Sequence, residues 1–275
     1  MRRFLVVITI VIFCNALIIN GQTGTSNASL ILEKLYGGLI AAKDDQESLK
    51  INDSVRLIIE SYVLSDTVFN HRFNNLRYLG QITSPDSLMK IITWNLILRE
   101  SPNRYYCYFV RKSDTGRENT IYRLAGVYRE EPVNTDTTYS ESDWYGALYY
   151  DLRSCRYGGD HYWILLGIDY GNQLITRKII DVMNFTPEGK IVFGKRWFTQ
   201  GDEMKQRVVL EYAFEAVVTL RFLSDTSIVF DHLVPIAPQY INNRQYYGPD
   251  YSYDAYIFDK GVWRLVTNID VRNKE

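Results

Sequence analysis

The sequence predicts a mainly β protein: an antiparallel meander or sandwich of about a dozen strands with two N-terminal helices packed on it. Three observations carry that prediction. From residue 76 onward, short runs rich in Tyr, Val, Ile, Trp and Thr alternate with compact turn signals. Ahead of them, two stretches place apolar residues at helical spacing. No linker rich in Gly, Ser or Pro divides residues 76–275, so they read as one domain.

The chain begins Met1-Arg2-Arg3 and continues through an almost unbroken apolar run, residues 4–19, to a polar break at Asn20-Gly21-Gln22. A short basic start, an apolar core and a polar break form the layout of a cleaved secretion signal, here residues 1–21. The rival reading, a membrane anchor, wants about 20 apolar residues, and this run is shorter and carries Asn15 near its end. The expectation is therefore an exported body, periplasmic, associated with the outer membrane or secreted, with no stable membrane span after cleavage.

Residues 22–75 read as a helical segment. Leu32, Leu35, Tyr36, Leu39 and Ile40 share one helical face. Val55, Ile58, Ile59, Tyr62 and Val63 share another, behind Asp53 as N-cap, with residues 43–47 as a solvated connection. The β domain, residues 76–275, follows. Runs 76–83 and 88–98 flank Ser84-Pro85-Asp86-Ser87, and runs 105–111 and 119–128 flank Ser113-Asp114-Thr115-Gly116. Further runs are 144–152, 162–168, 175–182 and 191–198, the last three divided by turns at 169–172 and 186–189. Residues 208–223 read as one long bent strand, because β-formers outweigh a helical reading. Runs 228–233, 253–258 and 262–269 complete the set. Loose alternation in several runs fits strands buried on both faces. A small β-propeller is the alternative architecture, but no motif repeats at a fixed period.

Composition narrows the function classes. The 31 basic residues, less Arg2 and Arg3 of the leader, are outnumbered by 32 acidic ones. Such a body lacks the basic footprint that nucleic acid or anionic lipid requires. Two cysteines follow the leader, Cys107 and Cys155. Export allows a disulfide between them, and two separate buried thiols are the other reading.

No nucleophile elbow, phosphate-cradling loop, zinc-protease helix or paired Cys-x-x-Cys occurs. The only histidines are His71, His161 and His232, and none is paired at ligand spacing, so neither a metal nor a cofactor is expected. Asp231-His232 is the one local acid–imidazole pair. Strand neighbours point to opposite faces, so the two side chains are not expected to touch. Tyr246, Tyr247, Tyr251, Tyr253 and Tyr256 cluster with Asp250 and Asp254 around Gly248-Pro249, which reads as a turn or loop before a strand. Ring faces beside carboxylates suit a sugar ring or a peptide, while packing at the end of the sheet is the structural reading. Arg153 and Arg156 lie among aromatics, where clamping an anion competes with plain stacking.

Residues 230–235 (Phe-Asp-His-Leu-Val-Pro), 247–256 (Tyr-Gly-Pro-Asp-Tyr-Ser-Tyr-Asp-Ala-Tyr), Gly261-Val262-Trp263 and Asp270-Val271-Arg272-Asn273 form a series that resembles exported proteins of Bacteroidota-type bacteria. The resemblance spans about residues 76–273 and implies a bacterial envelope or secreted setting, with no activity attached to it. Together these readings lead to an exported, non-catalytic module binding a glycan, a peptide or an envelope partner protein. Its ligand-contacting candidates are Tyr247, Asp250, Tyr251, Tyr253, Asp254, Asp231 and His232. The alternatives are a polysaccharide- or peptidoglycan-directed hydrolase built on paired carboxylates, including Asp231, Asp250 and Asp254, and a structural subunit of an envelope assembly.

Overall fold

The computed structural model describes residues 21–113 and 118–270, so all of the leader but Gly21 lies outside the described residues. Helices α1 (Gly21–Ala41) and α2 (Asp45–Val63) form a hairpin. A first sheet is the meander β1 (Gly80–Thr83), β2 (Met89–Leu96), β3 (Arg104–Arg111) and β4 (Thr120–Val127). A second sheet has the order β5 (Tyr139–Ser140), β9 (Ile191–Phe193), β8 (Ile175–Phe185), β7 (Asp160–Asp169), β6 (Leu148–Tyr157). Strand β12 (Val208–Ala213) also pairs with β8, along residues 175–180, next to the stretch that β9 occupies. The third sheet runs β11 (Glu203–Lys205), β10 (Phe198–Gln200), β16 (Val262–Val266), β15 (Tyr247–Asp259), β14 (Ser227–Pro235), β13 (Leu220–Ser224). Every pairing is antiparallel except the contact of Phe198 with Trp263 between β10 and β16.

Strand parity stacks these units into four layers. Successive side chains point to opposite faces of a strand. In β2 and β3, Ile92, Trp94, Leu96, Tyr106, Tyr108 and Val110 face the helices, where Leu32, Val55, Ile59 and Tyr62 meet them. Their neighbours Met89, Ile91, Tyr105, Cys107 and Phe109 face the second sheet, against Tyr149, Trp163, Leu165, Ile179 and Met183. The alternate residues Tyr162, Ile164, Leu166, Ile180 and Val182 then face the third sheet, against Phe198, Phe230, Tyr256 and Trp263. Two of the sheets are thus covered on both faces, which explains the loose polar–apolar alternation of their strands. Face-to-face stacking excludes the radial blades of a propeller. The helix layer leaves Leu30, Ile40, Leu57 and Leu64 exposed. Among the described residues no helix is long and apolar enough to cross a membrane.

Several element limits differ from the sequence expectation. The cap of α2 is Asp44, not Asp53: its side chain accepts from the Glu47 backbone N–H at 2.8 Å, and Glu47 Oε2 accepts from Lys43 N at 2.8 Å. Asp44-Asp45-Gln46-Glu47 is therefore a capping sequence inside what reads as a solvated connection. Residues 208–223 are two strands in two different sheets, β12 and β13, separated by the turn at 214–219. Residues 144–147 lie outside any strand, and β5 and β11 are additional short strands. The two cysteines are free: Cys107 sits between the first and second sheets, and Cys155 packs on the opposite face of the second sheet.

Two buried arginines hold the long crossing from β4 to β6. Arg207 and Asp181 pair at 2.9 Å with both side chains fully buried. The same guanidinium donates to the carbonyls of Thr137 at 2.7 Å, Phe193 at 3.2 Å and Asn134, and lies over the ring of Tyr139. Burial pushes the Asp181 carboxyl above its ordinary pKa, with Arg207 and the Tyr145 hydroxyl pulling the other way. Arg177 pairs with Glu211 at 2.9 Å and Asp169 at 3.3 Å, and donates to the carbonyls of Arg129 and Glu130 at 2.8 Å and 2.5 Å. Tyr105 Oη donates to Asp169 at 2.6 Å, tying the first sheet to the same cluster.

A third buried cation organises the loop after α2. Lys90 Nζ donates to Tyr62 Oη at 2.9 Å and to the carbonyls of Val68 and His71, each at 2.5 Å. Burial, helped by Arg72, lowers the Lys90 pKa to about 8. Gln81 grips both the N–H and the carbonyl of Phe73, each at 3.0 Å, in place of a strand partner. His71 is held beside this cluster with its Nδ1 buried and without a partner.

Two stability predictions follow from these clusters. Arg207→Met leaves Asp181 a buried charge without its counterion and frees three carbonyls, so it is expected to cost about 3–5 kcal/mol. Urea unfolding measures this, and a loss under about 1 kcal/mol would refute the role of the pair. Burial and Lys90 lower the His71 pKa below its ordinary 6.5. The unfolded chain therefore takes up this proton first, and the stability that His71 contributes is present above pH 6.5 and lost as the pH falls below it. His71→Phe is expected to shallow the fall of the thermal midpoint between about pH 6.5 and 5; an unchanged slope would contradict the assignment.

Candidate functional site

Four of the seven sequence candidates, His232, Asp250, Tyr251 and Asp254, meet at one irregularity in the third sheet. Asp231 of β14 pairs with Tyr253 of β15, but Leu233 pairs with Pro249. Three residues of β15, Asp250, Tyr251 and Ser252, therefore face the single His232. Such a bulge re-aims side chains and raises local twist, and bulges gather beside functional sites. What reads from sequence as a loop around Gly248-Pro249 is thus the first half of β15 itself, with the turn absorbed into the ladder.

His232, Asp250 and Ser252 are each fixed by a specific bond. His232 Nδ1 lies 2.8 Å from Asp254 Oδ2, and the other Asp254 oxygen accepts from Asn268 N at 3.2 Å. Asp254 is buried while the imidazole is partly exposed. Asp250 is exposed and turns back on the chain, accepting from Ser252 Oγ at 2.6 Å and Ser252 N at 3.0 Å. Those bonds, with a further push from His232, hold its carboxyl below the usual carboxylate pKa. Tyr251, between them, has φ of 71° and is 94% exposed. A left-handed backbone costs a non-glycine residue about 1–2 kcal/mol, so this ring is carried into solvent against a local penalty.

The structure separates the other candidates from this group. Asp231 is buried and accepts from Thr219 N at 2.6 Å, so it anchors the start of β13 and does not meet His232. Tyr253 stands opposite Asp231, and its carbonyl accepts from Ile269 N at 2.8 Å. Tyr247 is buried against Tyr212 and Val218, its hydroxyl accepting from Asn242 N at 3.1 Å beneath the Arg244 guanidinium. Tyr246 stacks on Tyr240 with ring centroids 4.0 Å apart, and Tyr256 belongs to the core. Arg153 lies over the Phe222 ring and pairs with Asp151 at 2.7 Å, a packing role. Asp231, Asp250 and Asp254 are each bonded to a different partner, Thr219, Ser252 and His232.

Asp254 also borders a cavity of 190 Å³ between the second and third sheets, shared with Gln200, Lys205, Arg207, Phe230 and Tyr256. Lys205 is occupied there by Asp136 at 2.9 Å and Glu203 at 2.6 Å. Among the described residues no three His, Cys, Asp or Glu side chains converge as a metal site would need.

A second cluster is invisible to sequence spacing. Ser154 Oγ lies 2.7 Å from His161 Nε2, Asp86 Oδ2 approaches the same nitrogen at 3.8 Å, and the imidazole stacks on Trp163. Serine and carboxylate both address Nε2, so the acid does not orient the opposite nitrogen as a Ser–His–Asp relay requires. The cluster ties the β1–β2 turn to the β6–β7 hairpin.

The dispersed apolar exposure near β15 adds to the picture. Val217 is 87% exposed and Ile236 71%, on segments that flank the Tyr247 cluster. No family model, curated protein or solved structure matches the chain.

Proposed function

We propose that the chain is an exported bacterial binding module that takes a saccharide at the β14–β15 bulge. Export rests on the basic start and apolar run of residues 1–21. The binding reading rests on one observation: Tyr251, a bulky aromatic, is held at positive φ with its ring almost wholly in solvent, between a fixed carboxylate and a fixed imidazole. An exposed ring face stacks on a pyranose, and Asp250 and His232 supply directional hydrogen bonds at its edge. Preset bonds to Ser252 and Asp254 reduce the ordering cost of binding.

A hydrolytic reading has one observation in its favour. Pinning His232 through Nδ1 to a buried carboxylate leaves Nε2 as the nitrogen for proton transfer. His232→Gln, which disturbs one edge hydrogen bond, is expected to weaken saccharide binding about three- to tenfold without abolishing it. Release of reducing ends from polysaccharide or peptidoglycan by the wild type, lost in this variant, would establish catalysis instead.

The binding reading is tested with the chain from Gln22 onward on a glycan array, followed by calorimetry. Tyr251→Ala is expected to weaken binding at least about tenfold. Tyr251→Gly is expected to abolish it equally while leaving the thermal midpoint unchanged or slightly raised, because glycine accepts positive φ. A blank array, or equal binding by wild type and Tyr251→Ala, would sink the assignment.

A further inference from the structure

The 190 Å³ cavity that Asp254 borders adjoins the bulge through that one residue. One wall is β12, through Val208 and Leu210; the other is the third sheet, through Gln200 of β10, Asp254 of β15 and Leu265 of β16. Protein interiors leave few voids larger than a water molecule. At about 30 Å³ per water, this one has room for roughly six, about the volume of a single hexose. Its lining is mixed, as a pyranose with its apolar C–H face and its rim of hydroxyls requires. Leu210 and Leu265 stay partly open to solvent and offer the apolar side. The polar groups keep bonding capacity in reserve. Lys205 Nζ spends two of its three protons on Asp136 and Glu203. The exposed Gln200 amide bonds to no other described residue. Asp254 accepts from Asn268 N on one oxygen and meets His232 Nδ1 with the other, which leaves part of each oxygen's capacity free. That contact, 2.8 Å long, is all that separates the imidazole at the bulge from the carboxylate at the cavity.

We infer that the saccharide taken at the bulge is at least a disaccharide, whose first ring stacks on Tyr251 and whose second ring occupies this cavity, bonded by Gln200, Lys205 and Asp254. The inference rests on the saccharide reading of the bulge and adds the length of the ligand to it. A ring entering the cavity displaces water and no packing contact, because the space is already open. Its hydroxyls take over the hydrogen bonds of the water they replace. The loss of translational freedom is met once for the whole ligand, so the second ring raises affinity without repeating that cost.

Calorimetry on the chain from Gln22 onward compares glucose with maltose and cellobiose, and N-acetylglucosamine with its β-1,4-linked dimer. At least one dimer is expected to bind about tenfold or more tighter than its monomer. Leu265→Trp, at an exposed position, fills the cavity and is expected to bring that dimer down to the affinity of its monomer, with monomer binding unchanged. Gln200→Ala, also at an exposed position, is expected to weaken the dimer about three- to tenfold and to leave the monomer as it is. Tyr251→Ala is expected to weaken monomer and dimer alike. Dimers no tighter than monomers, or a dimer advantage that survives either cavity variant, would overturn the cavity assignment alone. Binding of no sugar, or equal binding by wild type and Tyr251→Ala, would overturn the bulge reading and the cavity assignment together.

Discussion

The attachment of an irregular chain segment to buried guanidinium groups is the constraint on which the fold depends. Between the end of β4 and the start of β6 the backbone makes almost no ladder, only the two residues of β5. Its carbonyls must still find donors wherever they leave water. Arg177 and Arg207 supply them, bonding the carbonyls of Arg129, Glu130, Asn134 and Thr137 from β8 and from the residue that leads into β12. Each guanidinium is neutralised by a carboxylate of that sheet or its immediate partner strand, Asp169 and Glu211 for one and Asp181 for the other. Arginine suits this work because its planar fork serves a carboxylate and several carbonyls together, which an ammonium does less well. The upward push of burial on Asp181 indicates that the pair is not a cheap source of stability. Its value lies in fixing one path for the crossing, and thereby the register of the first sheet on the second.

Once that register is set, the layers follow from parity. Any strand covered on both faces must be apolar on both, and its sequence loses the alternating signature of a half-exposed sheet. This is why β2, β3, β7 and β8 were legible as strands but not assignable to a layer. Their turns were legible too. Ser84-Pro85-Asp86 and Lys260-Gly261 close hairpins where sequence places them, and Ser87 and Lys260 take positive φ there. The misreadings have local causes. At 214–219 the chain leaves the second sheet for the third without a glycine or proline to mark the break, so β12 and β13 read as one strand. At 45–47 acidic residues read as connection although they open α2, with Asp45 accepting from the backbone N–H groups of Arg99, Glu100 and Ser101. Those contacts span more than fifty residues, beyond the reach of any local pattern.

The candidate site shows the same division. The residue types at 231–232 and 247–256 pointed to one neighbourhood of the third sheet, because tyrosines and acids crowd a segment marked by Gly248-Pro249. What sequence does not encode locally is the mismatch of three residues against one, which depends on where β14 and β15 lock together further along. Pro249 is tolerated inside β15 because β16 pairs only with residues 255–259, leaving the first half of β15 a single neighbour. The separation of Asp231 from His232 was legible, since adjacent strand positions diverge. The Asp254 partner of His232 was not, being set by cross-strand register.

Layering also limits where a ligand can act. The first and second sheets spend both faces on packing, and their buried polar groups are engaged by Arg177, Arg207 and Tyr105. A molecule from solvent would have to displace the contacts that define the fold. Among the described residues, large uncovered faces remain in the outermost layers, while buried groups without a partner occur both there, at Tyr36 Oη, and in the second sheet, at Trp163 Nε1. The exposed Tyr251 ring lies in the third sheet, and the partnerless Tyr36 hydroxyl lies in the helix layer. In a stack of this kind a partner or ligand can be met at the outer layers without displacing the contacts of the inner ones, and the outer surfaces can vary in sequence without disturbing the arginine-held centre.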